Sequence, residues 1–375
     1  MTLIPVAAPQ IGERELAYVT DAVRSGWVSS LGAYVKRFER AFADYIGVSD
    51  AVAVANGTVG LHLALHALGI GPGDEVLVPA LTFAATAHTV LQTGATPVFV
   101  DVEPDTWCLD PVATERAITR HTKAIVPVHL YGHPADIVAV QRLADKHGLL
   151  MVEDAAEAPG AEVNGRRVGA LGQVGVFSFY GNKIITTGEG GMLTTNDAAL
   201  AARLRFLKDH AMSPQQRYYH TELGFNYRLT NIQAALGLAQ LEQIEAFIAQ
   251  RRHTFQWYAE DLADRPCLLL NTERPGTRNV YWMSCLVLAN DCRTTRDDLM
   301  AGMRSRGIDS RPFFVPMHQL PHLVNYRAVG RKGDGCPQAE WLGARGLNLP
   351  SGPHLDEATV RHIASIVREL VECVS

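Results

Sequence analysis

Short apolar segments of strand length alternate with helical segments through the first half of the chain. The apolar segments are residues 51–55, 75–79, 95–102, 123–130, 149–152 and 174–179. After the first of them, Leu61, Leu65 and Leu68 recur at helical spacing. Strands that alternate with helices form a mostly parallel sheet covered by helices on both faces. The sequence therefore predicts an α/β fold.

The last third of the chain has a different pattern. A strand is predicted over residues 280–288 and a helix over residues 296–306, and an amphipathic helix follows near the C-terminus. We therefore expect a large α/β domain with an N-terminal arm over residues 1–245 and a small α+β domain over residues 246–375.

Composition and charge exclude several classes of function. The 375 residues are 47% hydrophobic and 19% charged, which is typical of a soluble globular protein. A net charge of −5 provides no basic surface for a polyanion, so nucleic acid is not an expected partner. The N-terminus has no basic leader, and no apolar run approaches the length that crosses a bilayer. We expect a cytoplasmic protein with no membrane partner.

Cysteine and histidine spacing predicts no metal site. The six cysteines form no C-x-x-C pairs, so they indicate neither a zinc site nor a disulfide framework, and they are consistent with a reducing cytosol. His62 and His66 have the spacing of metal ligands on a helix, but no carboxylate accompanies them. We expect them to be surface or interface residues.

One lysine lies where its amine is poorly solvated. Lys183 occupies a glycine-rich turn after an apolar run, directly before Ile184 and Ile185. Desolvation disfavours the ammonium form, so the amine is partly neutral and nucleophilic near pH 7. Such a lysine suits a Schiff base. The alternative is a surface lysine in a glycine-rich hairpin.

Two carboxylates follow another apolar run. Residues 149–152 end in Glu153 and Asp154, which places these acids at the carboxyl end of a buried strand, where open α/β sheets bind ligands. Asp154 is a candidate partner for a ring nitrogen, because a carboxylate there keeps a pyridine protonated. It is equally a candidate cap of the next helix. Glu157, three residues further on, can return toward the same ring.

A candidate phosphate site lies at the start of the first leucine-rich helix. Gly57, Thr58 and Val59 follow a short strand and open that helix. Unpaired N–H groups and the positive end of the helix dipole favour an anion there. Ser178, at the end of the strand before Lys183, can add a hydroxyl. Ordinary N-capping remains the alternative.

Five segments together carry a family resemblance. They read A-N-G-T-V-G-L-H-L-A-L, P-A-L-T-F-A-A-T, V-E-D-A-A-E-A, F-S-F-Y-G-N-K-I-I-T-T-G-E-G-G and G-F-N-Y-R-L-T-N-I-Q-A-A-L-G. From residue 5 to about residue 370 the chain resembles the DegT/DnrJ/EryC1/StrS family of pyridoxal phosphate (PLP)-dependent sugar aminotransferases. The resemblance implies PLP as the cofactor, bound by fold type I of the PLP enzymes.

The resemblance also implies roles for residues outside these three stretches. Phe83 is expected to stack on the pyridine ring, and Asn226 to reach the cofactor phosphate of a neighbouring subunit. Shared sites of this kind imply a homodimer. Ser30 is expected near the sugar substrate and His318 near the mouth of the site. Arg228 is expected either to bind a substrate carboxylate or phosphate or to form a structural salt bridge.

The expected reaction is a two-stage transamination with glutamate as the amino donor. The acceptor is a nucleotide-linked 4-keto-6-deoxy sugar, and the resemblance favours GDP-4-keto-6-deoxymannose, which gives GDP-perosamine. In the dehydratase branch of the family a histidine replaces the lysine, so Lys183 favours transamination. Other nucleotide keto-sugars, a keto-cyclitol and a PLP-binding regulator remain alternatives. A nicotinamide oxidoreductase is disfavoured, because the nearest glycine motif, G-I-G-P-G-D, precedes its strand.

Overall fold

A computed structural model describes residues 3–373, which contain fifteen strands and twelve α-helices. The strands are β1 (Asp50–Val54), β2 (Glu75–Pro79), β3 (Thr96–Val100), β4 (Thr122–Ile125), β5 (Leu150–Asp154), β6 (Glu162–Val163), β7 (Arg166–Arg167), β8 (Val174–Ser178), β9 (Gly191–Thr195), β10 (Leu268–Leu270), β11 (Thr277–Arg278), β12 (Ser284–Leu288), β13 (Arg311–Pro312), β14 (Ala328–Val329) and β15 (Gly346–Leu349). The helices are α1 (Glu13–Arg24), α2 (Ala33–Ile46), α3 (Gly57–Ala67), α4 (Ala85–Gln92), α5 (Pro111–Ala117), α6 (Ile137–His147), α7 (Ala198–Lys208), α8 (Asn231–Leu241), α9 (Ile244–Leu262), α10 (Arg296–Ser305), α11 (Pro337–Arg345) and α12 (Glu357–Leu370). None of these helices is long and apolar enough to cross a bilayer.

Eight strands form one large sheet in the order β1-β9-β8-β5-β4-β2-β3-β14. β9 is antiparallel to both of its neighbours, and all other pairs are parallel. The predicted α/β fold with a mostly parallel sheet is therefore confirmed. The carboxyl ends of parallel strands meet at one edge of a sheet. The segments that follow β1, β2, β5 and β8 consequently emerge together.

Burial of apolar strands and helices fixes the position of that edge. Every residue of β8 is buried, and α3 packs across β8 with Leu61, Leu63 and Leu65 buried. Each buried leucine contributes about 1.5–3 kcal/mol to folding. Because α3 is apolar around its circumference, it is held firmly, and its N-terminus lies at the carboxyl edge of the sheet.

Strand β1 forms one edge of the large sheet, and two charged side chains cover it. Lys208 donates to the backbone carbonyl of Ala53, and Glu39 accepts from the backbone N–H of Ala53. Lys208 and Glu39 are also paired with each other at 3.1 Å. These contacts occupy edge groups that would otherwise be free to pair with another strand.

The C-terminal part of the chain builds a second, smaller sheet. Strands β10, β12, β15 and β13 pair antiparallel in that order, and a second hydrophobic cluster between Tyr258 and Val371 packs with them. β14 belongs to the same part of the chain, yet it pairs with β3 in the large sheet. α8 ends at Leu241 and α9 begins at Ile244, so residues 245 and 246 both lie in α9. The division between residues 245 and 246 stays a prediction.

The cysteine spacing indicates no disulfide framework, yet the described residues contain one disulfide. Cys267 and Cys373 form a disulfide with their Cα atoms 5.8 Å apart. The two residues are 106 positions apart in the chain. They meet at the segment after β12: Cys373 pairs with Cys292, and the Ala289 N–H donates to the Cys267 carbonyl. Sequence spacing carries no trace of this tertiary contact.

Candidate active site

A cavity of about 640 Å³ lies at the carboxyl edge of the large sheet, facing the smaller sheet. Its volume falls within the usual range for a small-molecule site. Eight of the nine predicted cofactor residues line it, namely Gly57, Thr58, Val59, Phe83, Asp154, Glu157, Ser178 and Lys183. They come from four separate stretches of sequence, which the sheet topology brings together.

The N-terminus of α3 forms one end of the cavity. Asn56 caps the helix, because its side chain accepts from the Val59 N–H at 3.0 Å. The first N–H groups of any α-helix have no intrahelical partner, so those of Gly57 and Thr58 are available to a bound anion. A Cβ on Gly57 would lie 3.0 Å from the Ser178 Cβ, and one on Gly191 would lie 2.7 Å from the Asn56 backbone. Glycine at both positions lets the three segments approach closely.

Lys183 reaches the cavity from the turn after β8. Its Nζ lies 3.7 Å from Oε1 of Glu157 and 3.9 Å from the centroid of the Trp282 ring. Its side chain is 12% exposed. Burial lowers the pKa of the Lys183 amine, although Glu157 and Asp154 act in the opposite direction. The pKa shift therefore has the direction that a nucleophilic lysine requires.

Asp154 ends β5 and is held by two donors. The Thr86 hydroxyl donates to Oδ2 at 2.8 Å, and the Ala156 N–H donates to Oδ1 at 3.2 Å. Burial raises the pKa of Asp154, while these hydrogen bonds and the Lys183 charge lower it. Each carboxylate oxygen has more than one lone pair, so Asp154 can accept a hydrogen bond from a further donor.

Glu157 is fixed by a backbone group from a distant segment. The Tyr131 N–H donates to its Oε2 at 2.8 Å, which leaves Oε1 directed to Lys183. Burial raises the pKa of Glu157, and the Lys183 charge opposes this effect. Tyr131 has a φ of 54°, an unusual backbone conformation for a residue with a side chain.

A buried pair lies beside Asp154 without lining the cavity. Glu153 accepts hydrogen bonds from the backbone N–H groups of Gly169, Leu171 and Gly172 and contacts Nε2 of His129 at 3.2 Å. The Ala135 N–H donates to Nδ1 of His129, so the proton of this imidazole lies on Nε2, facing Glu153. The backbone N–H of His129 donates to the Asp154 carbonyl, which ties the pair to the strand end.

Sequence reasoning missed the wall that the smaller sheet contributes. Trp282, Arg311 and Asn348 line the cavity from β12, β13, β15 and their flanks. The Trp282 indole N–H donates to the carbonyl of Asn182 at 2.8 Å, directly before Lys183. No local pattern marks these residues, because they reach the cavity only through tertiary packing. Thr86 had a signal, since it belongs to the segment T-F-A-A-T.

Four predicted residues do not line the cavity. Asn226 is exposed, and its Oδ1 accepts from Nε of Arg228, which also pairs with Asp209 at 2.6 Å. Ser30 lies in the segment between α1 and α2, outside the cavity lining. His318 is also outside the lining, and its Nε2 contacts Glu340 at 2.9 Å. Of the two roles expected for Arg228, the structure places it in a salt bridge.

The family model that matches this chain makes it an aminotransferase. It belongs to the DegT/DnrJ/EryC1/StrS aminotransferase family, which matches residues 9–368. Aminotransferases of this family depend on PLP.

Individual relatives extend over nearly the whole chain. The chain is 47% identical to the GDP-perosamine synthase of Caulobacter vibrioides, with 98% of each chain covered. It is 41% identical to the UDP-N-acetyl-3-dehydro-alpha-D-glucosamine 3-aminotransferase of Acidithiobacillus ferrooxidans, over 90% of this chain and 89% of that one. The crystal structure of S. venezuelae DesV in complex with a ketimine intermediate has a TM-score of 0.88 and 40% identity, and the match covers 95% of this chain and 93% of that one.

Proposed function

We propose that this enzyme transfers an amino group from glutamate to a nucleotide-linked 4-keto-6-deoxy sugar, specifically GDP-4-keto-6-deoxymannose, and so forms GDP-perosamine. The observation that carries the proposal is the buried Lys183 amine within one cavity with Asp154 and the N-terminus of α3. The 47% identity to a GDP-perosamine synthase over 98% of each chain supports the choice of sugar.

The residues of the cavity fit PLP. The N–H groups of Gly57 and Thr58 and the Ser178 hydroxyl suit its phosphate, and Phe83, 58% exposed and lining the cavity, suits a stack on the ring. Lys183 suits the aldehyde, and Asp154 the ring nitrogen. When bound, PLP supplies an electron sink for the carbon that loses a proton.

Lys183 is the proposed acid and base. Burial lowers the pKa of its amine, so the neutral form that accepts a proton is more populated near pH 7 than for an exposed lysine. Glu157 and Trp282 face the amine and favour its protonated form, which can return the proton. The same side chain can thus remove a proton at one carbon and deliver it to another.

Asp154 is proposed to stay ionised against a protonated ring nitrogen. Burial alone would favour its neutral acid, but Thr86 and the Ala156 N–H stabilise the carboxylate. Asp154 would accept a third hydrogen bond from a protonated ring nitrogen of bound PLP, whose positive charge would further favour the carboxylate. Asp154 therefore holds the proton on the ring nitrogen without accepting it.

We also propose a homodimer that completes the site. Asn226 is exposed and lies outside its own chain's cavity, as a residue that serves a neighbouring subunit must. Large apolar side chains are exposed on and after α1, where a partner chain can cover them. These side chains are Leu16 (56% exposed), Val23 (52%), Trp27 (57%) and Leu31 (76%).

Another nucleotide keto-sugar is the second candidate substrate. The relative from Acidithiobacillus ferrooxidans, at 41% identity, is named for a UDP-linked 3-dehydro sugar. The residues that recognise the nucleotide and the sugar ring therefore decide between the two substrates.

The test is incubation of the PLP-loaded protein with glutamate and a panel of GDP-, UDP- and TDP-linked keto-sugars and keto-cyclitols, with product masses as the readout. We expect GDP-4-keto-6-deoxymannose to be aminated fastest, and Lys183→Ala to abolish all turnover. Lys146→Ala, a change at an exposed lysine on α6, serves as the control. Amination of cyclitols alone, or of UDP-sugars alone, would reject the proposed substrate.

A further inference from the structure

The cavity has two walls of different charge. The wall from the large sheet carries Asp154 and Glu157 together with Lys183, and Glu189 also lines the cavity. Arg311 belongs to the opposite wall, on β13, the edge strand of the smaller sheet, where its backbone pairs with Asn348 of β15. Of the described lining residues, Arg311 and Lys183 are the only lysine or arginine.

The Arg311 guanidinium is unpaired. Arg311 is exposed. No side chain or carbonyl within residues 3–373 forms a hydrogen bond or an ion pair with its guanidinium. Other arginines of the C-terminal part are held by carboxylates, such as Arg274 by Asp105 at 2.6 Å and Arg278 by Glu245 at 2.6 Å. A free guanidinium at the mouth of an otherwise acidic cavity is available to an anionic ligand.

The proposed reaction, on which this inference rests, brings two kinds of oxyanion to the cavity. The amino donor carries carboxylates, and the nucleotide sugar carries a diphosphate. The α-carboxylate is attached to the reacting carbon itself, so it must lie deep in the cavity beside Lys183. The diphosphate is attached at C1 of the sugar, across the ring from the keto carbon C4. It therefore lies further out, toward the cavity mouth.

We infer that Arg311 binds the diphosphate of the nucleotide sugar and so selects substrates that carry a nucleotide. A guanidinium forms paired, charge-assisted hydrogen bonds with phosphate oxygens, whereas a lysine ammonium acts only as a point charge. The acidic groups at the cavity floor repel the diphosphate, which keeps it at the mouth. The contact thus orients the sugar with its keto carbon toward Lys183.

The first experiment measures binding of GDP and of guanosine to the PLP-loaded enzyme by calorimetry. Arg311→Gln should weaken GDP binding by about 10- to 100-fold, because each hydrogen bond to a charged group contributes about 1.5–3 kcal/mol. Guanosine, which lacks phosphates, should bind equally to both proteins. Arg311→Lys should give an intermediate affinity for GDP. Increasing salt should weaken GDP binding to the original enzyme more than to Arg311→Gln.

The matched control is Arg142→Gln, which removes the same charge from α6, at an exposed residue outside the cavity. It should leave GDP binding unchanged. Unchanged GDP binding in Arg311→Gln, or equal weakening of GDP and guanosine, would overturn the inference.

A second experiment separates the two half-reactions. With glutamate alone, Arg311→Gln should convert the bound cofactor to its amine form at the original rate, as followed by absorbance. The KM of Arg311→Gln for the nucleotide keto-sugar should be at least tenfold higher than that of the original enzyme. A rise in the KM for glutamate alone would assign Arg311 to the donor carboxylate and overturn the inference. Failure of the proposed function would give a different result from failure of this inference. The original enzyme would then aminate no nucleotide sugar, but its preference for GDP over guanosine would still depend on Arg311.

Discussion

The Nζ atom of Lys183 lies 3.9 Å from the centre of the Trp282 ring, although the two residues belong to opposite walls of the cavity. The aromatic face attracts the ammonium form of the lysine. The indole N–H also donates to the carbonyl of Asn182 at 2.8 Å, which positions the turn that carries the lysine. Trp282 is in turn anchored through its carbonyl by Arg251, which is fully buried.

Replacing Trp282 should change the protonation of Lys183. Trp282→Leu removes the aromatic face, so the pKa of the amine should fall further, by an amount equivalent to about 0.5–2 kcal/mol. Trp282→Phe keeps an aromatic face and loses the hydrogen bond to Asn182, so its effect on the pKa should be smaller. The pKa is measured from the pH dependence of acylation of Lys183 in the PLP-free protein, by peptide mass spectrometry.

The control for this experiment is Trp341→Leu, because Trp341 does not line the cavity. It should leave acylation of Lys183 unchanged. A pKa in Trp282→Leu that equals or exceeds that of the original protein would contradict the assigned attraction.

Thr86 should support the charge on Asp154. Thr86→Val removes the hydroxyl that donates to Oδ2 of Asp154, so the pKa of the carboxyl should rise further. We expect kcat to fall about tenfold, consistent with loss of about 1.5 kcal/mol. Asp154→Asn should retain bound PLP and lose most of the turnover, because a neutral amide no longer keeps the ring nitrogen protonated. Steady-state kinetics and cofactor absorbance provide the two readouts.

Thr89→Val is a useful comparison, because the Thr89 hydroxyl bonds only to a backbone carbonyl of its own helix. It should keep near-normal turnover. If Asp154→Asn also keeps near-normal turnover, the ring nitrogen has another partner.

The buried pair of Glu153 and His129 should stabilise the fold in a pH-dependent way. Hydrogen bonds from His129 and the backbone lower the pKa of Glu153 despite its burial. The carboxylate therefore contributes stability above its ordinary pKa of about 4.3, and this stability is lost as pH falls through the lowered value. Glu153→Gln should reduce the free energy of unfolding by about 3 kcal/mol at pH 7. Urea unfolding at pH 7 and in acid provides the measurement.

The difference in the free energy of unfolding between the original protein and Glu153→Gln should shrink as the pH is lowered below the ordinary pKa of a glutamate carboxyl. Glu115→Gln is the control, because Glu115 pairs with Lys146 on the surface and such pairs contribute little. A difference that stays constant into acid would show that the charge on Glu153 is not the cause.

The disulfide should be detectable as missing thiols. In the denatured, non-reduced protein we expect four titratable thiols out of six cysteines. Reduction, or Cys373→Ser, should lower the free energy of unfolding by about 2–4 kcal/mol. Cys292→Ser, at a neighbouring free cysteine, should leave the bond intact and remove one titratable thiol. Six titratable thiols in the original protein would contradict the assigned bond.

The predicted cofactor residues that line the cavity share one property, which is that each lies at an end of a regular element or in the segment that follows one. Lys183, Asp154 and Gly57 could be predicted to lie together because the carboxyl ends of parallel strands meet at one edge. Trp282 and Arg311 could not, because their positions depend on how the smaller sheet packs against the large one. The contact of Tyr131 with Glu157 depends on a positive φ at Tyr131, which no local pattern specifies.

The position of β14 in the chain determines how long β3 stays exposed during protein synthesis. This strand closes the edge of the large sheet beside β3, but it is encoded more than two hundred residues later, at Ala328–Val329. While the chain emerges from the ribosome, the outer side of β3 stays open until this late segment is released. A nascent or truncated chain that stops earlier thus presents a bare strand to its neighbours, and cellular chaperones would have to shield it.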